Sequence, residues 1–131
     1  MTFIAGNGGG EIRDNDILAA LFQSYSLFFI NVLNNTGNGY SISRGRFIAP
    51  FSGMYRFSTK MCDNTTNTIS IRANGNNLVK EDISTSNRTV CVTLTCLTDL
   101  QKGDGVYVYA SNMFHRIARS TINVFSGHLI P

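Results

Sequence analysis

Gly45-Arg46-Phe47-Ile48-Ala49-Pro50, followed closely by Gly53-Met54-Tyr55-Arg56-Phe57-Ser58-Thr59-Lys60-Met61, alternates side chains with a period of two. Successive residues of a strand point to opposite faces, so Tyr55, Phe57, Thr59 and Met61 share one face. Met54, Arg56, Ser58 and Lys60 share the other. The aromatic face is the one expected to enter a core, as in an antiparallel sheet packed on one side. Pro50 lacks an amide donor, which suits a position where the chain is about to join a strand.

Outward from this stretch, nearly every segment repeats the pattern of a short strand bounded by Gly and Asn. An opening strand is expected near Phe3-Ile4-Ala5, before the loop Gly6 to Gly10. Phe28 to Leu33 is β-rich and ends at the turn cluster Asn34-Asn35-Thr36-Gly37-Asn38-Gly39, where positive φ is easy for Gly and tolerable for Asn. Asn74-Gly75-Asn76 predicts a hairpin turn between Ile69-Ser70-Ile71-Arg72 and Leu78-Val79-Lys80. Lys102-Gly103-Asp104-Gly105 leads into Val106 to Ala110, and Asn123 to Ile130 closes the chain as a buried strand. Asp16 to Gln23 alone has the apolar content for a short helical turn, capped through Asp14 or Asn15. About ten antiparallel strands of this kind are expected to form a two-sheet sandwich within one domain spanning residues 1–131.

Composition agrees with a folded domain whose loops are polar but sparsely charged. Charged residues make up 15% of the 131, against 43% hydrophobic, and 14 Asn, 12 Ser and 12 Thr supply the polarity. Eight Arg and three Lys against eight acidic residues give a net charge of +3, but the cations are scattered. Nucleic-acid binding depends on clustered cations that displace counterions, so no nucleic-acid partner is expected. Arg does form forked contacts with carboxylate, sulfate or phosphate, which leaves anionic surface ligands open. No apolar run reaches the roughly 18 residues of a membrane span, and Met1 to Gly6 lacks the basic and apolar regions of a signal peptide.

Three blocks stand in a fixed order: Asn38-Gly39-Tyr40 through Gly45-Arg46-Phe47-Ile48-Ala49-Pro50 to Gly53-Met54-Tyr55-Arg56-Phe57-Ser58; then Gly103-Asp104-Gly105-Val106-Tyr107-Val108; then Phe125-Ser126-Gly127-His128-Leu129. Together they resemble the C1q globular-head family, whose trimeric jelly rolls are related to tumour necrosis factor. Bare-head invertebrate C1q-domain proteins are the most similar arrangement. The resemblance implies an all-β, antiparallel jelly-roll sandwich of about ten strands, a homotrimer, and secretion. It also implies that Tyr40, Phe47, Tyr55, Phe57, Tyr107 and Phe125 divide between the sandwich core and a three-fold interface. The implied function is non-enzymatic recognition of microbial or host glycans, or of anionic surface polymers, in innate immunity. A ligand for a protein receptor and a structural trimer cap are the alternatives.

The residues that could carry chemistry are few. Only His115 and His128 are histidines, and no catalytic or phosphate-binding motif occurs, so no enzyme is expected. His128 is read as structural. Arg44 with Arg46, and Arg116 with Arg119 beside His115, are the candidate contacts to an anionic ligand. Asp104 is read as a cap on turn amides. Some relatives bind calcium, which takes several oxygen ligands, but Asp63, Glu81, Asp82, Asp99 and Asp104 are dispersed, so calcium is left open with no ligand assigned. Cys62, Cys91 and Cys96 are expected to be small buried hydrophobes or idle thiols, with a Cys62 bridge to one of the other two as the alternative. Cys91 and Cys96 would face opposite sides of one strand and not bridge each other. Asn34, Asn64 and Asn87 begin sequons that matter only on a secretory route.

Overall fold

The chain alternates between two antiparallel sheets at most of its connections. A computed structural model describes residues 2–6, 26–27, 32–36, 39–41, 43–63, 66–84, 88–111 and 123–131. In chain order the strands are β1 (Thr2–Gly6), β2 (Ser26–Leu27), β3 (Val32–Thr36), β4 (Tyr40–Ser41), β5 (Arg46–Ile48), β6 (Gly53–Asp63), β7 (Asn67–Ala73), β8 (Asn76–Ile83), β9 (Val90–Leu100), β10 (Gly105–Ala110) and β11 (Val124–Leu129). The first sheet runs β3-β1-β11-β6-β9. The second runs β4-β5-β10-β7-β8, with β2 also pairing β10. Among the described residues β4-β5 and β7-β8 are neighbours in both sequence and sheet, and the other pairings cross over. This is the jelly roll expected from the sequence.

The core lies between the sheets, filled by the alternating residues of each inner face. Along β6, Tyr55, Phe57, Thr59 and Met61 are fully buried while Met54, Arg56 and Lys60 are exposed, as the alternation predicts. Phe57 sits among three rings: Phe47 at 5.3 Å, Tyr55 at 6.0 Å and Phe125 at 6.0 Å between centroids. Tyr40 packs edge-on to Phe125. Of the six aromatics singled out in the sequence, Tyr107 alone stays outside this core, half-buried on the outer face of the second sheet. The buried Tyr55 hydroxyl donates to the Phe51 carbonyl at 2.7 Å, so burying it strands no polar group.

Turn chemistry follows the local residues. Asn74 and Gly75 adopt φ of 54° and 78°, the positive pair that a two-residue hairpin with the sheet's right-handed twist needs. The Asp104 carboxylate accepts the Gln101 amide at 2.8 Å, and the Asp104 carbonyl accepts the Ala49 amide at 2.9 Å. Asp104 thus closes its own turn and fastens it to the chain beside Pro50.

Two expectations change. Cys62 and Cys91 form a disulfide, which replaces the reading of idle thiols. β6 and β9 are adjacent, and their register sets Cys62 directly opposite Cys91. Cys96, on the other side of β9 as the alternation predicts, is free. The expected turn at Asn34-Asn35-Thr36 is instead the end of β3, where Asn34 and Asn35 pair with Ile4 and Phe3 of β1. The neighbouring strand overrides local turn preference, because ladder hydrogen bonds and cross-strand packing outweigh intrinsic propensity. Asp16 to Gln23 lies outside the described residues. Among the described residues no helix is long and apolar enough to cross a membrane.

Candidate functional site

β5 alternates Phe47 inward with Arg46 and Ile48 outward. Before it, the turn Ser43-Arg44-Gly45 is closed by the Gly45 amide donating to the Ser41 carbonyl at 2.9 Å, with Gly45 at φ 66°. That turn brings Arg44 back beside Arg46. Arg44, Arg46, Ile48, Gly103 and Gly105 line one open cleft of about 390 Å³ on the outer face of the second sheet. Its floor depends on Gly105: a Cβ there would meet Arg46 Cδ at 2.9 Å, so the missing side chain lets the arginine stem lie flat. The Arg46 guanidinium carbon is 4.6 Å from the Tyr107 ring centroid, within cation–π range. Among the described residues neither arginine is paired with a carboxylate. The cleft therefore concentrates positive charge beside apolar Ile48, a setting for a forked contact to an oxyanion.

The outer face of the first sheet differs. Arg56, Thr95, Leu97, His128 and Ile130 line a depression of about 680 Å³, which Cys96 also borders although its own position in the alternation packs it against the core, and Arg56 stands in register with both Leu97 and His128. Leu97 is 62% exposed, and Met54 on the same face is 38% exposed. Burial raises the Cys96 thiol pKa, and a backbone hydrogen bond with Phe57 offsets part of this. The thiol therefore stays protonated at neutral pH, the opposite of what a nucleophilic cysteine needs. Among the described residues no three His, Cys, Asp or Glu side chains are grouped to hold a metal ion.

Of the residues singled out in the sequence, the structure brings Arg44 and Arg46 into one cleft. His115, Arg116 and Arg119 lie outside the described residues. Sequence reading passed over Arg72, Tyr109 and Leu97. Strand alternation alone places each on an outer face, but which residues stand beside them depends on sheet order.

Comparison with known proteins supports the fold. The globular domain of zebrafish complement 1qA protein superposes with a TM-score of 0.73 at 16% identity, covering 99% of this chain and 97% of that one. Compared with curated proteins, the chain has no significant match. The C1q domain family model matches residues 16–130, so the chain belongs to the C1q domain family, whose members are non-enzymatic recognition or ligand modules of the C1q/TNF type that typically trimerise and are typically secreted.

Proposed function

We propose that this protein is a secreted homotrimeric recognition module that binds glycans or other anionic surface polymers in innate immune pattern recognition. The observation that carries the reading is the cleft in which Arg44 and Arg46 converge without a carboxylate partner among the described residues. Two forked, charge-assisted donors in one open cleft suit carboxylate or sulfate groups on a polymer, and three copies turn weak contacts into avidity. The Cys62–Cys91 bridge supports an oxidising compartment. The outer face of the first sheet, with Leu97 and Met54 exposed, is the surface offered for self-association.

Two measurements test this. A panel of microbial and host glycans and surface polymers, probed with calcium and again with chelator, should return a selective hit that competes with free ligand. Replacing Arg44 and Arg46 together by Ala should weaken that hit by roughly tenfold to a hundredfold per arginine, the worth of a charge-assisted hydrogen bond. A blank panel from a well-folded trimer would overturn the reading in favour of a protein receptor. In parallel, Leu97→Arg should shift the sedimenting species from trimer to monomer, because a charge would replace apolar area at the contact. A trimer unchanged by Leu97→Arg would place the interface elsewhere.

A further inference from the structure

The second sheet carries a built cation–aromatic row that the cleft only begins. β10 lies between β5 and β7, and the register sets Val106 opposite Phe47 and Tyr107 opposite Arg72. Arg46, the neighbour of Phe47, is therefore level with Tyr107, and its guanidinium lies over that ring. On the other side of β10, the Arg72 guanidinium carbon lies 3.9 Å from the centroid of Tyr109. Arg72 Nε also donates to Asn77 Oδ1 of β8 at 2.7 Å. The row thus runs Arg46, Tyr107, Arg72, Asn77 across four adjacent strands.

Stacking on a ring uses the face of a guanidinium and leaves its in-plane N–H donors pointing outward. Asn77 takes only Nε of Arg72, so the two terminal nitrogens remain as a fork. Among the described residues neither Arg46 nor Arg72 has a carboxylate partner. The acidic side chain of β8 on this face, Asp82, instead accepts the Thr68 hydroxyl at 2.7 Å. Both forks are held before any ligand arrives, which reduces the ordering cost of binding. Their backbones stand two strand spacings apart, roughly 10 Å, on either side of β10, and each guanidinium leans in over a ring of that strand.

Resting on the reading of an anionic polymer as ligand, we infer that Arg46 and Arg72 form a two-fork platform on the outer face of the second sheet for an acidic polysaccharide bearing sulfate or carboxylate groups. Charge complementarity selects an anion, and two forks held on separate side chains suit a chain with repeated charges over a single ion. A nucleic acid fits less well, because single-strand binding relies on bare aromatic faces for base stacking, and here each ring already has a guanidinium on it.

The test is binding of the full chain to heparin, with hyaluronan, uncharged dextran and a single-stranded DNA as further probes, over a salt series. Arg72→Ala should weaken heparin binding by about tenfold or more and lower the slope of log affinity against log salt by about one. Arg72→Lys should restore the slope but not the affinity, because an ammonium keeps the charge and loses the fork. Retention of sulfated heparin over hyaluronan would identify sulfate as the group read, and the reverse would identify carboxylate. Heparin binding that depends on Arg44 and Arg46 but is indifferent to Arg72→Ala would overturn the platform and leave the proposed function standing. Failure of the unaltered protein to bind any acidic polysaccharide would overturn both. DNA binding with equal dependence on Arg72 would overturn the ligand class.

Discussion

Phe57→Ala is expected to cost about 3 to 5 kcal/mol of stability, the range for truncating a fully buried aromatic. Phe57 is 0% exposed and lies within 6.0 Å, centroid to centroid, of Phe47, Tyr55 and Phe125, rings contributed by β5, β6 and β11. These strands belong to both sheets, so the void would open where the two layers meet. Close-packed interiors relax only partly around such a void, and the neighbouring rings would each lose a packed face. Against a typical total of about 5 to 15 kcal/mol, the variant would be marginal. Urea unfolding at fixed protomer concentration checks this, because self-association would otherwise shift the midpoint. The midpoint should fall steeply while the control Phe51→Ala, at a residue 58% exposed, stays within about 0.5 kcal/mol. Equal midpoints for the two variants would mean that the aromatic cluster is not the packing centre.

The second large effect belongs to the disulfide. Cys62 and Cys91 are 29 residues apart, and closing a loop of that length in the unfolded chain stabilises the native state by about 3 to 4 kcal/mol on the chain-entropy account. Cys91 is exposed, so Cys91→Ser removes the bridge with little other disturbance. The melting temperature should drop by roughly 10 to 15 °C. Reductant should bring the unaltered protein down to the same value and leave Cys91→Ser where it is. Cys96→Ser should remain sensitive to reductant, since Cys96 takes no part in the bridge. A reductant-sensitive melt in Cys91→Ser would show that Cys62 pairs elsewhere.

These two predictions differ in how far the sequence anticipates them. Phe57 in the core follows from alternation along β6, a property of consecutive residues that needs no knowledge of neighbours. The disulfide does not follow, because the spacing of Cys62, Cys91 and Cys96 is compatible with three free thiols or with a Cys62 bridge to either of the other two. It required β6 and β9 to be adjacent and in one particular register. The same limit appears at Arg44 and Arg46. That they could point the same way was legible from their spacing, but Gly105 beneath Arg46 and Tyr107 under its guanidinium belong to β10, more than fifty residues further along.

Period-two alternation, the paired positive φ at Asn74-Gly75 and the self-capped turn at Asp104 are short-range consequences of residue type, and they suffice to read an all-β sandwich and the inward face of β6 from consecutive residues alone. The strand order lay beyond such signals. It turned Asn34 and Asn35 from a turn into strand, joined Cys62 to Cys91, and set Arg72 over Tyr109. Each of these depends on which distant strand lies alongside, and that is settled by packing two sheets over one core rather than by any local run of residues.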